Sequence, residues 1–308
     1  MDGDRTLVLV GPTAVGKTAV ALALADHLDI EIVSADSRQV YRGLDITTAK
    51  PTSRERQRVP HHLIDLIVPG ERYNAGRFAE EATEVIAAIR ARGRVPIVVG
   101  GTGLYVKALI DGLFAEPPFD RPRRDALSAL TSRMDHATLV RWADRLDPGF
   151  VGSGGRHRAS RAIEMAILTG HPLSWWQQAA RSGGTITPFV VRLSVPRAVL
   201  HQRINARAAE MVRRGAIEEI AALLADGAPL TGPGMDGIGV REAIDVLQGR
   251  LPKDRYAETV ALATRQYAKR QDTWFRNQIS GDVLALDASP APDRLAATIA
   301  AAWNEIPA

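Results

Sequence analysis

Apolar positions along this chain switch between two rhythms. Residues 6–10 form a short apolar run closed by Gly11, and residues 19–28 follow with helical spacing. That succession predicts strand, loop, helix. Residues 30–34 predict a second strand, 75–91 a long helix, and 95–99 a continuous apolar strand closed by Gly100 and Gly101. Residues 60–66, with apolar side chains at Leu63, Ile64 and Leu66, fit neither rhythm cleanly. Strands alternating with helices at this spacing predict a parallel sheet flanked by helices on both faces.

The texture changes after Leu113. Glu116, Pro117 and Pro118 break the pattern, residues 121–180 read as several helices with no strand, and Ser182-Gly183-Gly184 closes the stretch. A strand pattern returns at 188–195, followed by helices at 197–213, 216–226 and about 253–276, a last strand at 283–286 and a terminal helix. The chain is therefore expected to be an α/β protein. Its core would comprise residues 1–115 and 186–308, with an all-helical domain inserted at 116–185. No internal repeat or low-complexity tract interrupts it.

Composition narrows the class. With 308 residues, 45% hydrophobic and 24% charged, the chain is an ordinary globular protein. The absence of cysteine rules out disulfides, thiolate metal sites and a cysteine nucleophile. No apolar run reaches the ~18 residues of a membrane span, and the first run is too short for a signal peptide, so a cytoplasmic protein without membrane segments is expected. A net charge of +4 and a pI near 9.6 mildly favour a polyanionic partner. Lysine is rare, with only Lys17, Lys50, Lys107, Lys253 and Lys269 among 39 basic residues.

One of those lysines lies in the strongest motif. Gly11-Pro12-Thr13-Ala14-Val15-Gly16-Lys17-Thr18 matches G-x-x-x-x-G-K-[ST] between a predicted strand and a predicted helix, the context the motif requires. Glycines let backbone N–H groups turn inward around an anion, and the helix N-terminus adds partial positive charge. Lys17 supplies a point charge and Thr18 a hydroxyl for Mg²⁺. The motif cradles phosphates from any source, so ATP, GTP and an alkyl diphosphate all remain open. A phosphoryl-transfer enzyme would carry a second Mg²⁺-organising aspartate at the end of an apolar strand. Residues 95–99 run instead into Gly100-Gly101-Thr102-Gly103, leaving Asp36 and Asp65 as the carboxylates that could serve.

Asp36 follows the second predicted strand, at the edge that faces the ligand crevice of open parallel sheets. It could take a proton from an incoming nucleophile, or simply cap a short helix starting at Ser37. Thr102 has the same two readings: a hydroxyl for a leaving diphosphate, or the N-cap of a strand-to-helix turn.

Together these segments resemble the tRNA dimethylallyltransferases. The resemblance is carried by residues 11–18, by the run from Ser34 to Pro51 (SADSRQVYRGLDITTAKP), by PHHLID at 60–65, by GGTGLY at 100–105 and by RQYAKRQDTWFR at 265–276. It implies a P-loop NTPase-like core that binds dimethylallyl diphosphate and alkylates N6 of the adenosine immediately 3′ of the anticodon, in a monomer of bacterial type without a C-terminal zinc finger. Asp36 then matches the general base and Thr102 a residue important for catalysis near the diphosphate. Residues 36–39 (Asp36, Ser37, Arg38, Gln39) match a tRNA-contacting stretch. So do His157, Arg158, Ala159, Ser160 and Arg161, then Asp236, Gly237, Ile238, Gly239, Val240 and Arg241, with Arg124 as a single contact. Thr47 stands where a glycine is common in the family, and Val240 where an aromatic is usual.

The residues add further candidates. Arg203 and Arg207, one turn apart, could clamp the diphosphate alongside Lys17, with Mg²⁺ held mainly by the substrate's own phosphates. Gln266, Lys269, Arg270 and Thr273 share one helical face that could meet the anticodon stem-loop or be an ordinary solvated basic face. Arginines through the insert are partly offset by Asp120, Asp125, Asp135, Asp144 and Asp147, and Trp175-Trp176 could stack on a nucleotide or pack in the core. Three readings compete: a P-loop small-molecule kinase, an isopentenyltransferase acting on free AMP or ADP, and a non-catalytic RNA-binding module.

Overall fold

A computed structural model describes residues 5–114, 117–148, 150, 155–179, 183–279 and 281–305. Contacts divide the chain into two compact units. The first comprises residues 1–110 and 185–308, the second 111–184.

The first unit is built on a sheet of six strands, all parallel, in the order β3-β2-β4-β1-β5-β6. The strands are β1 Arg5–Val10, β2 Ile30–Ala35, β3 His61–His62, β4 Val95–Gly100, β5 Thr187–Ser194 and β6 Val283–Asp287. The central strands β1, β2 and β4 are buried along almost their whole length because helices cover both faces. α1 (Lys17–Leu24) and the terminal α13 (Pro292–Glu305) close one side over Leu7, Leu9, Ile97, Val191 and Leu193. α3 (Ala75–Ala91) and α4 (Gly103–Asp111) cover the other with Phe78, Ile86, Ile89, Val106 and Leu109, all essentially buried.

Several boundaries depart from the apolar spacing; α1, for one, ends at Leu24 rather than residue 28. α1 begins at Lys17 rather than residue 19, because Gly16 adopts a left-handed conformation (φ 113°) and starts the helix from within the phosphate loop. Residues 60–66 contribute only the two-residue β3, since Leu63 (φ 60°) and Asp65 (φ 58°) are left-handed and cannot continue a strand. The short α2 (Ser53–Arg58), closed by a Thr52–Glu55 capping box, had no apolar rhythm to announce it.

A second apolar cluster in this unit lies among helices α9 (Arg197–Arg213), α10 (Ala216–Ala225), α11 (Val240–Leu247) and α12 (Tyr256–Gln278). It packs on Val40, Tyr41, Leu44 and Ile67, fixing the long segment that follows β2.

The second unit is all-helical among its described residues: α5 Arg121–Ser132, α6 His136–Leu146, α7 Gly155–Thr169 and α8 Leu173–Ala179. Asp120 and Asp135 accept backbone N–H bonds from Arg123 and Thr138, so these two carboxylates are helix caps as well as counter-charges. Leu139, Ala143, Ala159, Ala162, Ile163 and Met165 form its core. No helix among the described residues is long and apolar enough to cross a membrane.

Candidate active site

Strand register brings three turns together. Val10 of β1 pairs with Gly100 of β4, and Ala35 of β2 pairs with the same Gly100. Gly11, Asp36 and Gly101 therefore leave the sheet side by side, at the C-terminal edge where parallel sheets bind ligands. A cavity of about 1000 Å³ opens there, lined by Thr13, Ala14, Gly16, Lys17 and Thr18 from the first turn and by residues 36–39 from the second.

In the phosphate loop, Val15 is fully buried and anchors the turn in the core beneath it. Lys17 folds back so that Nζ donates to the carbonyls of Gly11 and Pro12, both at 2.9 Å. Burial pulls its ammonium down from 10.5 to about 8, against the opposing pull of Asp36 and with Arg207 adding to the drop. Thr18 is exposed on the first turn of α1 and also lines the cavity. The two arginines from α9 differ. Arg203 lines the cavity but donates to Val15 O at 2.7 Å and Ala288 O at 3.0 Å, so its guanidinium is committed to bracing the loop. Arg207 makes only long contacts, to Thr13 Oγ1 at 3.4 Å and Thr48 O at 3.5 Å. Burial holds its guanidinium below the ordinary arginine range, with Asp36 opposing. Of the two, Arg207 is the better placed to meet an incoming anion.

Residues 37–40 form a turn rather than the short helix that Asp36 could have capped. Asp36 Oδ1 accepts from Arg38 N at 2.8 Å. The Thr102 hydroxyl is committed to this turn, accepting from Ser37 N at 3.0 Å and donating to Ser37 Oγ at 3.3 Å, while Thr102 N donates to Ala35 O at 3.2 Å. Thr102 thus ties the β4 turn to the Asp36 turn and does not itself line the cavity.

The segment beyond is pinned from both sides. Glu219 of α10 accepts from the backbone N–H groups of Asp45 (2.7 Å), Ile46 (2.6 Å) and Thr47 (3.0 Å). The Thr47 hydroxyl adds a fourth bond at 2.8 Å, which a glycine at this position would lack. Lys50, its side chain 1% exposed, joins Asp45 and Asp65. Gln39 reaches this segment through Ala49 O (3.3 Å) and β2 through Ser34 Oγ (3.0 Å). His61 and His62 bond to Val59 O and to Glu31, and no group of three acidic or histidine ligands occurs among the described residues.

The glycines of the β4 turn are filled by protein. A Cβ at Gly100 would lie 2.1 Å from Ala35 O, one at Gly101 2.4 Å from Gln271 Nε2, and one at Gly103 2.3 Å from the Trp274 ring. Gln271 and Trp274 come from α12, whose segment 265–276 carries part of the family resemblance and whose expected role was its basic face. That face exists: Gln266, Lys269, Arg270 and Thr273 are all exposed. Gln266 and Arg270 line the cavity, Lys269 and Thr273 do not, and Tyr267 lines it as well, with the Arg270 guanidinium 5.8 Å from its ring centre. Burial, with Asp36 adding, pushes the Tyr267 phenol up to about 12. Besides its place in the motif at 265–276, Gln271 had a local signal in sequence, an amide on the otherwise apolar stripe of Ala261, Ala268 and Phe275.

Asp236, Gly237, Ile238, Val240 and Arg241 also line the cavity. Asp236 pairs with Arg38. Val240 is buried in the helical cluster, and Gly239 is held by Glu242 (2.6 Å to its N–H) and by Tyr256 (3.0 Å to its carbonyl). Within the second unit, Arg124 and Arg161 share Glu164 and both lie over the Phe119 ring. His157 and Arg158 are exposed, Ser160 is half-buried, and Ala159 points into the core. Trp176 packs on that core and donates to Thr169 Oγ1 at 2.9 Å, while Trp175, 41% exposed, stacks on His171 at 4.2 Å.

With this geometry in hand, comparison with known proteins is decisive. The IPP transferase family model matches residues 39–278, and an isopentenyl transferase model matches residues 5–67. The chain belongs to the IPP transferase family. A tRNA dimethylallyltransferase of Halorhodospira halophila is 43% identical over 299 residues, 95% of each chain. One from Koribacter versatilis is 42% identical over 282 residues, 90% of this chain and 92% of its own. Among solved structures, the tRNA isopentenylpyrophosphate transferase of Bacillus halodurans is 35% identical with a TM-score of 0.71, covering 98% of this chain and 97% of its own. A eukaryotic dimethylallyltransferase acting on tRNA gives a TM-score of 0.80 at 26% identity, over 99% of this chain and 81% of its own. The P-loop α/β core expected from the apolar rhythm is thus the fold of this IPP transferase.

Proposed function

We propose that this enzyme transfers the dimethylallyl group of dimethylallyl diphosphate to N6 of the adenosine immediately 3′ of the anticodon in tRNA. The observation that carries the reading is one cavity lined both by a phosphate loop with its lysine and by the Asp36 turn, with no carboxylate at the end of β4.

The N–H groups of the loop, Lys17 and Arg207 receive the diphosphate. Thr18 and the substrate's own phosphates would hold Mg²⁺, which fits an exposed hydroxyl and the lack of an all-protein cage among the described residues, and the ion would supply charge neutralisation at the diphosphate. N6 of adenine is a weak nucleophile because its lone pair is delocalised, so alignment and proton removal carry the rate. The N6–carbon bond forms as the allylic carbon–oxygen bond breaks. The electron pair leaves with diphosphate, and the N6 proton passes to Asp36. Thr102 serves by fixing the turn that carries Asp36. Arg38, Gln39, Arg241, Gln266 and Arg270 line the acceptor side, where an unstacked anticodon-loop base can be read by its edges. Lys269 on the same helix, and Arg124, His157, Arg158 and Arg161 of the second unit, would contact the RNA backbone. The enzyme is taken to act as a cytoplasmic monomer.

The test is a transfer assay with purified protein, Mg²⁺, radiolabelled dimethylallyl diphosphate, and either an adenosine-rich anticodon stem-loop or free AMP. Label is expected in the RNA alone. Label in AMP would redirect the reading to free nucleotides, and ATP consumption without label would overturn it in favour of a kinase.

A further inference from the structure

Gln271 lies on the buried stripe of α12, 7% exposed and at the cavity wall, while Gln266, Lys269 and Arg270 face outward from the same helix. Its amide is used in both directions. Oε1 accepts from Thr13 N in the phosphate loop at 2.8 Å, and Nε2 donates to Gly101 O in the β4 turn at 2.8 Å. Room for it exists only because residue 101 has no side chain, since a Cβ there would sit 2.4 Å from Nε2. The chemistry at this point is specific. One planar group must present an acceptor to a backbone N–H and a donor to a backbone carbonyl, which a primary amide does and a carboxylate does not.

We infer that Gln271 is a positioning residue for the diphosphate donor. By taking the Thr13 N–H, it fixes the first half of the phosphate loop and leaves the later N–H groups, those nearest the start of α1, turned toward the cavity. By holding Gly101 O, it sets the spacing between that loop and the turn whose Thr102 secures Ser37 beside Asp36. Donor and base are thereby referred to one buried amide on the helix whose outer face lines the acceptor side. This inference rests on the proposed use of an alkyl diphosphate.

Glutamate is the informative replacement. Ionised, it keeps an acceptor for Thr13 N but turns lone pairs against Gly101 O and places negative charge behind the phosphate loop. Protonated, it restores both bonds, its O–H donating to Gly101 O. Methionine fills similar space and makes neither bond. The experiment measures the Kd of dimethylallyl diphosphate with Mg²⁺ by calorimetry, and the Kd of an anticodon stem-loop RNA. The proteins are wild type, Gln271→Glu and Gln271→Met, from about pH 5 to about pH 8. At the upper end, Gln271→Glu is expected to weaken donor binding about tenfold or more, the scale of one lost buried hydrogen bond. RNA affinity should stay within about twofold of wild type. As pH falls, the glutamate variant should return toward the wild-type donor Kd measured at the same pH, whereas Gln271→Met should remain weak throughout. If Gln271→Glu fails to fold, Gln271→Met still decides the matter by its donor-to-RNA contrast. Donor Kd values equal to wild type in both variants, or a loss confined to RNA, would overturn the inference alone. Wild-type protein that bound no dimethylallyl diphosphate would overturn the donor reading and this inference with it.

Discussion

Two glycine-rich turns leave the same edge of the sheet, one after β1 and one after β4, and they use their glycines differently. In the phosphate loop, Gly11 packs on the Leu193 carbonyl, but Gly16 borders open space, with Arg203 3.7 Å from where a Cβ would lie. In the β4 turn Gly100 and Gly101 also line the cavity, yet Ala35, Gln271 and Trp274 occupy the places that side chains at Gly100, Gly101 and Gly103 would take. A glycine records that something comes close. Whether that is a ligand or another part of the protein depends on what the rest of the chain delivers to the spot.

The contrast can be broken most severely at the turn after β2, on the other side of β4 from the phosphate loop. Asp36→Asn should lower turnover by roughly 10²–10⁴-fold, the usual worth of a positioned general base, with RNA binding retained. The transfer assay reads it, and near-normal turnover would remove Asp36 from the reaction. A smaller effect belongs to the open loop. Because the Lys17 ammonium titrates at about 8, below its ordinary 10.5, donor affinity should fall as pH rises through about 8, and Lys17→Ala should flatten that profile. The sign for stability is opposite. An unfolded chain binds this proton more tightly than the folded one, so without donor the Lys17 contribution to stability grows as pH rises from about 8 to 10.5. Calorimetric donor Kd values that stayed level from about pH 6 to about pH 9 would sink the assignment. The smallest change belongs to the filled turn. Gly103→Ala drives a methyl into the Trp274 ring and should cost about 1–3 kcal/mol in urea unfolding, while donor Kd hardly moves. A weakened donor with unaltered stability would mean that Gly103, too, faces ligand.

Much of the fold was legible because short, mostly apolar runs at 6–10, 30–34 and 188–195, and the continuous one at 95–99, alternate with helical patterns and so have few alternatives to buried parallel strands. The motif at 11–18 was legible because each residue type has a local duty in a strand–turn–helix context. Residues 60–66 were not, since positive φ at Leu63 and Asp65 is imposed by surroundings that include Lys50 bonded to Asp65. Arg203 and Arg207 look equivalent in sequence, one helical turn apart. Both line the cavity, and only the structure gives Arg203 two close carbonyl partners while leaving Arg207 with long contacts alone.

By itself the sequence determined the chemistry on offer: a phosphate-binding turn, a carboxylate after the second strand, an outward basic helix face and a helical insert. These follow from rules spanning a few residues. The tertiary structure decided which groups meet. Strand register sets Gly11, Asp36 and Gly101 side by side, and Gln271 reaches Thr13 across 258 positions of chain. No local pattern encodes such a pairing, because it depends on how α12 packs against the sheet edge rather than on the spacing around either residue.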